Sequence, residues 1–253
     1  MSLQVAASGR GPDLVLVHGW GLGRDVWNSV LPALDEHFTV HRVSLPGYDG
    51  SAVDTRDFDA TAELLADHLP AGATLCGWSM GGMLAQAATA LRPERFRRLV
   101  LIDTSPKFIQ AVDWPDAQPA SNHETFTCAV MKAPQATLTR FVMLFNHGDD
   151  KAREVSRRLA PLLAADMPAN EVLEKGLDWL RDIDLRGNAA AITAPTLVFH
   201  GDADPLMPLA AGEWLARTLP HARLERCPGA AHAPFVSDPD HFVAALVAFC
   251  LST

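Results

Sequence analysis

Three stretches of the chain hold the residues best suited to chemistry. Gly77-Trp78-Ser79-Met80-Gly81-Gly82 fits the pattern G-x-S-x-G, and it lies between an apolar strand and a helix. The chain must turn sharply there, a turn that Gly77 and Gly81 allow, and the turn presents the Ser79 hydroxyl above the sheet edge. The Met80 amide opens the following helix, where developing negative charge is favoured. A serine hydroxyl is a weak nucleophile near neutral pH and needs a base, itself held in one tautomer by a carboxylate. Two further strand ends supply both. Asp204 lies in His200-Gly201-Asp202-Ala203-Asp204-Pro205-Leu206-Met207-Pro208, and His232 in Gly229-Ala230-Ala231-His232-Ala233-Pro234-Phe235. Such a set performs acyl transfer through a covalent serine ester.

The elements that must position these residues follow from hydrophobic patterning. Residues 14–17 form a continuous apolar run, the mark of a buried parallel strand, and it empties into the loop His18-Gly19-Trp20-Gly21-Leu22. Residues 38–45, 74–76 and 99–102 read as further strands, while 25–35, 58–69 and 80–91 carry helical spacing. The alternation lapses after Asp103 and resumes with a strand at 195–199, a helix at 209–219, a strand at 222–226 and a last helix at 239–251. Strands alternating with helices predict an α/β chain with a mainly parallel central sheet and helices on both faces. Residues 108–185 hold helical segments and no convincing strand, so they are expected to form an inserted helical lid. Residues 1–107 and 186–253 form the core domain. Ser79, Asp204 and His232, in that chain order and each at a strand end, are the arrangement expected of an α/β-hydrolase fold.

Within that fold the acid lies four residues before the proline of a G-x-x-D-x-x-x-P stretch, which selects Asp204 and leaves Asp202 as a loop carboxylate. His18 reads as structural. His37, His41, His68, His221 and His241 read as helix-end or surface residues, His123 and His147 lie in the insert, and His200 ends its strand. None is spaced for a metal. The loop after the first buried strand is where the fold places a second oxyanion donor, so the Trp20 amide is expected to join that of Met80 while the Trp20 ring shapes the acyl site. Losing one such donor typically costs ~2.7–4 kcal/mol of transition-state stabilisation. No cofactor or metal enters this scheme, and a serine at the elbow excludes the branches of the fold that need a carboxylate nucleophile.

Composition narrows the setting. The chain has 253 residues, a net charge of −9, 48% hydrophobic and 20% charged residues, which excludes disorder, collagen and coiled coil. An acidic whole molecule repels phosphate backbones, so nucleic acid is not an expected partner. Cys76, Cys128, Cys227 and Cys250 are far apart with no C-x-x-C pair, which fits reduced thiols in a cytoplasmic protein. The start, Met1-Ser2-Leu3-Gln4-Val5, lacks a basic flank and an apolar run, and no apolar stretch approaches the ~20 residues that cross a bilayer. A cytoplasmic monomer away from membranes is the expectation.

Taken together, His18-Gly19-Trp20-Gly21-Leu22, Leu45-Pro46-Gly47, the Gly77–Gly82 elbow, Thr104-Ser105-Pro106-Lys107-Phe108, Trp114-Pro115 and His232-Ala233-Pro234-Phe235 resemble the pimeloyl-[acyl-carrier protein] methyl ester esterases of biotin synthesis. The resemblance spans nearly the whole chain and is weakest in the insert. It implies hydrolysis of the methyl ester on a carrier-bound dicarboxylate chain. It assigns Ser79, Asp204 and His232 as the triad, Trp20 and Met80 as oxyanion and substrate-binding positions, and Phe141 as a lid residue. Two departures bear on chain-length preference: Phe145 replaces a glutamine of relatives, and Gly47-Tyr48-Asp49 replaces Gly-Phe-Gly. The same triad would also serve a general short-chain carboxylesterase, or a ligand receptor on a hydrolase scaffold.

Two expectations concern the lid. Phe141, Met143, Leu144 and Phe145 are expected to bury the methylene chain. Residues 132–158 hold six cationic side chains (Lys132, Arg140, Lys151, Arg153, Arg157, Arg158) and three acidic ones (Asp149, Asp150, Glu154), a net +3 on a body of −12. Arg153 and Arg157, four apart on one helical face, with Arg158 beside them and Arg140 on the preceding helix, are expected to dock an acidic acyl carrier protein.

Overall fold

The computed structural model describes residues 3–54, 56–165 and 167–251, so Met1 and Ser2 of the chain start, together with Thr55, Asp166, Ser252 and Thr253, lie outside the described residues. The strands are β1 (Gln4–Gly9), β2 (Asp13–Val17), β3 (Thr39–Ser44), β4 (Ala73–Trp78), β5 (Phe96–Ile102), β6 (Thr196–Gly201) and β7 (Ala222–Cys227). They form one seven-stranded sheet in the order β1-β3-β2-β4-β5-β6-β7. Only β1 runs antiparallel, against β3. The helices are α1 (Leu31–Leu34), α2 (Phe58–His68), α3 (Met80–Leu91), α4 (Ala120–Lys132), α5 (Pro134–Phe145), α6 (Ala152–Ala165), α7 (Asn170–Asp182), α8 (Leu209–Thr218), α9 (Pro234–Ser237) and α10 (Pro239–Leu251). The expected α/β-hydrolase architecture is therefore present, with helices on both sides of the sheet.

The central strands are apolar because both their faces are covered. Every residue of β4 and β6 is buried, whereas the edge strand β1 is mostly exposed and β7 is only partly covered. The carboxyl ends of β4, β5, β6 and β7 lie side by side, which gathers four strand-end loops at one edge of the core. One expected helix takes another form. Residues 25–35 split into a 3₁₀ turn over Arg24–Ser29 and the single-turn α1, because Pro32 lacks an N–H and disfavours helical geometry at the residue before it. Val26, Val30 and Leu34 are buried nonetheless.

Helices α4 to α7 lie between β5 and β6, with α4 packed on both α5 and α7 and α5 packed on α6. The turn between α5 and α6 grips the loop that holds His232. Asp149, itself buried, accepts the Ala231 N–H at 2.9 Å and the Ser237 hydroxyl at 2.9 Å. The Asp150 N–H donates to Gly229 O at 2.8 Å, and the Lys151 ammonium donates to Ser237 O at 2.8 Å. No helix among the described residues is long and apolar enough to cross a membrane.

Candidate active site

Ser79 is the residue between β4 and α3, and its backbone adopts φ 56°, ψ −124°. A non-glycine residue there stores roughly 1–3 kcal/mol of strain and must be held by its surroundings. The surroundings do so: Ser79 N–H donates to Ile102 O at 2.9 Å, and Ser79 O accepts from the Thr104 hydroxyl at 2.7 Å and from the Gly82 N–H at 2.9 Å. The glycines of the elbow act by size. Neither Gly77 nor Gly81 has positive φ, so the turn does not need their freedom. A Cβ on Gly77 would lie 2.3 Å from Gly81 O, and one on Gly81 would lie 2.3 Å from His18 O. They allow strand, helix and the His18 loop to touch.

The structure brings Ser79, His232 and Asp204 into one hydrogen-bonded line. His232 Nε2 lies 2.9 Å from Ser79 Oγ, and His232 Nδ1 lies 2.7 Å from Asp204 Oδ2. Asp204 Oδ1 accepts the N–H groups of Leu206 and Met207 at 2.8 and 3.0 Å, so the carboxylate is fixed at both oxygens. Its contact with Nδ1 places the proton there and leaves the Nε2 lone pair toward the serine. The imidazole packs against the rings of Trp78 and Phe145, and the Trp78 indole N–H donates to His232 O at 2.6 Å. Asp202 points elsewhere: it is exposed and accepts the Gly229 N–H at 2.8 Å.

Among the described residues, neither the Trp20 nor the Met80 backbone N–H donates to a protein acceptor. Both residues are buried next to Ser79, with Gly19 against the Ser79 side chain. The Trp20 indole is fixed by its Nε1–H donating to Leu173 O of α7 at 2.9 Å. His18 is wholly buried, donates from Nδ1 to Gly19 O at 2.8 Å and accepts the Leu45 N–H at Nε2. Burial holds its pKa below the usual histidine value, so it is a neutral brace for the loop.

A cavity of about 180 Å³ opens above Ser79 and His232. Its walls are the rings of Trp20, Phe126, Phe141 and Phe145 with Leu177 and Leu206. Trp20 and Phe141 meet edge to face at 5.4 Å, and Phe126 and Phe141 lie 5.0 Å apart. Phe141, Leu144 and Phe145 line this cavity, Leu144 at its rim. Met143 does not. It is 55% exposed and outside the cavity wall, because the buried stripe of α5 is Leu138, Val142 and Phe145 and Met143 lies off it. Phe126, Leu177 and Leu206 are cavity residues that sequence reasoning missed; their apolar character was visible but their meeting point was not.

The four arginines are exposed, Arg140 on α5 and the other three on α6. Arg140, Arg153 and Arg157 have no carboxylate partner among the described residues. Arg158 differs, pairing with Glu154 at 2.7 Å and donating to Val236 O at 3.5 Å.

Residues 12–239 match the family described as alpha/beta hydrolase fold. A pimeloyl-[acyl-carrier protein] methyl ester esterase of Chromobacterium violaceum is 40% identical over 248 residues, covering 97% of this chain and 97% of its own. That of Aromatoleum aromaticum is 41% identical over 235 residues, 90% of this chain and 94% of its own. The chain belongs to this esterase family of α/β-hydrolases. Among solved structures, an esterase from Exiguobacterium antarcticum superposes with a TM-score of 0.90 at 22% identity, covering 99% of this chain and 96% of that one. A bromoperoxidase from Bacillus anthracis gives 0.89 at 22% identity, covering 99% and 95%. At that identity the likeness carries the fold alone. An α/β-hydrolase esterase of this kind is a carboxylic ester hydrolase.

Proposed function

We propose that the chain is a serine carboxylesterase that hydrolyses the methyl ester of a pimeloyl chain carried on an acyl carrier protein, releasing methanol. The observation that carries this reading is the Ser79–His232–Asp204 line at 2.9 and 2.7 Å on the floor of an apolar cavity. The full-length likeness to the named esterases supports the substrate.

In this mechanism His232 Nε2 takes the Ser79 proton as Oγ attacks the ester carbonyl, and Asp204 stabilises the imidazolium. The oxyanion accepts the free amides of Trp20 and Met80. His232 then protonates the departing methoxide. Water, deprotonated by the same imidazole, attacks the acyl-serine and frees the acid. Residues 108–185 act as the lid, whose Phe141, Leu144 and Phe145 bury the methylenes at ~0.8 kcal/mol each.

The basic face of α5 and α6 is the proposed carrier dock. Arg140, Arg153 and Arg157 offer unpaired positive charge on an acidic body, a pattern that steers an acidic partner. Arg158 contributes less, since Glu154 already offsets it. The test compares a carrier-bound pimeloyl methyl ester with free dimethyl pimelate in wild type and in Arg153→Glu/Arg157→Glu. The expected result is a several-fold fall in kcat/KM for the carrier-bound ester that shrinks as salt rises, with the free ester unaffected. Equal loss on both substrates, or none on either, would remove the docking role. Failure of wild type to prefer the carrier-bound ester would remove the carrier.

A further inference from the structure

Behind the triad lies a buried carboxyl that the mechanism does not use. Asp103 follows β5 directly, in a left-handed backbone (φ 39°) that is held by its N–H donating to Phe199 O at 3.1 Å. Its side chain is wholly inaccessible, and a carboxylate oxygen of Asp103 lies within 4.8 Å of one of Asp204. Counting donors shows which of the two carries the charge. Asp204 accepts two backbone N–H groups at Oδ1 and the imidazole N–H at Oδ2. Asp103 Oδ1 accepts one, from Gly201 at 2.8 Å, and Asp103 Oδ2 has no donor among the described residues. Two carboxylates within 4.8 Å of each other in a dry site disfavour double ionisation, and the one with more hydrogen-bond donors keeps the charge.

We propose that Asp103 is a carboxylic acid kept protonated, its Oδ2–H donating to Asp204, which makes it a positioning residue that gives the triad carboxylate a fourth donor. The charged and titratable groups around it are Asp149 and Asp204, both acidic, the buried thiol of Cys227, and His200, whose Nε2 lies 3.6 Å from Asp103 Oδ1 and whose basicity is depressed by burial, so that it brings no positive charge. Burial and the Asp204 charge together hold the Asp103 carboxyl well above the usual carboxylate range. Asp103, His200 and Asp204 are also close enough to suggest a metal site. The hydrogen bonding argues against one: the His200 nitrogen nearest Asp103 is Nε2, 3.6 Å from Oδ1, and Nε2 lies 2.7 Å from Met207 O, so that nitrogen carries a proton and offers no lone pair. Asp103 is absent from the cavity wall, so its effect is on the acid and not on substrate.

The experiment has a spectroscopic arm and a kinetic arm, and only the kinetic arm rests on the triad reading. Infrared difference spectra between wild type and Asp103→Asn should show a protonated-carboxyl C=O band in wild type at both pH 7 and pH 9. Absence of that band overturns the proposal, whatever the activity. Asparagine can still donate to Asp204 and accept from Gly201, so Asp103→Asn should rescue what Asp103→Ala loses. Alanine should lower kcat about tenfold, the worth of one hydrogen bond to a charged group, with KM unchanged. The acid limb of the pH profile should coincide in wild type and Asp103→Asn. An ionised Asp103 would instead shift that limb down by roughly one unit or more on neutralisation, which refutes the assignment even if the alanine variant does not fold. A fall in thermal stability of Asp103→Ala with kcat intact would likewise reduce Asp103 to a structural residue.

Discussion

At Gly176 helix α7 packs closely against the Trp20 indole. The glycine lies inside α7, where alanine is normally preferred by ~0.8–1.0 kcal/mol. A Cβ there would lie 2.4 Å from Trp20 Cδ1 and 2.9 Å from its Nε1, against an ordinary contact beginning near 3.4 Å. Either α7 or the Trp20 indole must move by about 1 Å, and both movements strain the Trp20 Nε1–H bond to Leu173 O. Overpacking of this kind costs about 1–3 kcal/mol, so the propensity gain leaves Gly176→Ala between unchanged and about 2 kcal/mol less stable. If Trp20 supplies the proposed oxyanion donor, the kinetic effect is larger, because a ring shift of ~1 Å carries its loop with it and a displacement of that size at a catalytic group costs up to about 10²-fold in rate. Turnover of p-nitrophenyl butyrate, read beside a urea melt, separates the two. We expect kcat to fall at least tenfold with the fold retained. A variant that is stabilised by the full propensity gain and keeps wild-type kcat would refute the idea that Gly176 sets the Trp20 amide.

Ser79→Ala and His232→Ala should each remove essentially all esterase activity. Asp204→Asn should lose most of it and Asp202→Asn little, and the reverse order would show that Asp202 is the triad acid. Phe141→Ala should raise KM for hexanoyl or longer esters more than for acetate, since the lost wall touches the methylenes; equal effects would reduce Phe141 to a packing residue. Acidification should weaken the fold. His18 and His200 have folded-state pKa values depressed by burial, so below about pH 6.5 the unfolded chain binds protons that the folded one refuses. Each contributes a loss of up to about 1.4 kcal/mol per pH unit on acidification, while Asp103, raised, opposes with one such term above the usual carboxylate value. A urea midpoint that rises between pH 7 and pH 5 would contradict this balance.

The buried strands and the meeting of Ser79, His232 and Asp204 were legible because their residues are local signals: apolar runs ending in glycine, and three strand-terminal groups in a telling order. Strand β1 was not, since Gln4-Val5-Ala6-Ala7-Ser8 covers a sheet edge on which apolar side chains have little to bury against. The 25–35 segment shows the apolar face correctly and the helix type incorrectly, as Pro32 overrides the periodicity. At the elbow the glycines were visible and their reason was not, because close approach of Gly81 to the His18 carbonyl is a contact across 63 residues of chain. Met143 and Leu144 are apolar neighbours, both mostly exposed, and only the packing of α5 decides that Leu144 reaches the cavity rim. Asp103 read simply as the residue that ends a strand.

The clasp between the α5–α6 turn and the histidine loop bears on engineering by exchange. An insert transplanted from a relative at the β5 and β6 junctions would seem a self-contained cassette, yet Asp149 belongs to the donor side while Ala231 and Ser237 belong to the recipient. A graft without an aspartate in register would strand the buried N–H of Ala231, next to His232, and the Ser237 hydroxyl five residues after it, at about 1–3 kcal/mol for each orphaned group. The unit of exchange in this protein is therefore two segments, the insert and residues 229–237, and chimeras that move only one should lose activity before they lose their fold.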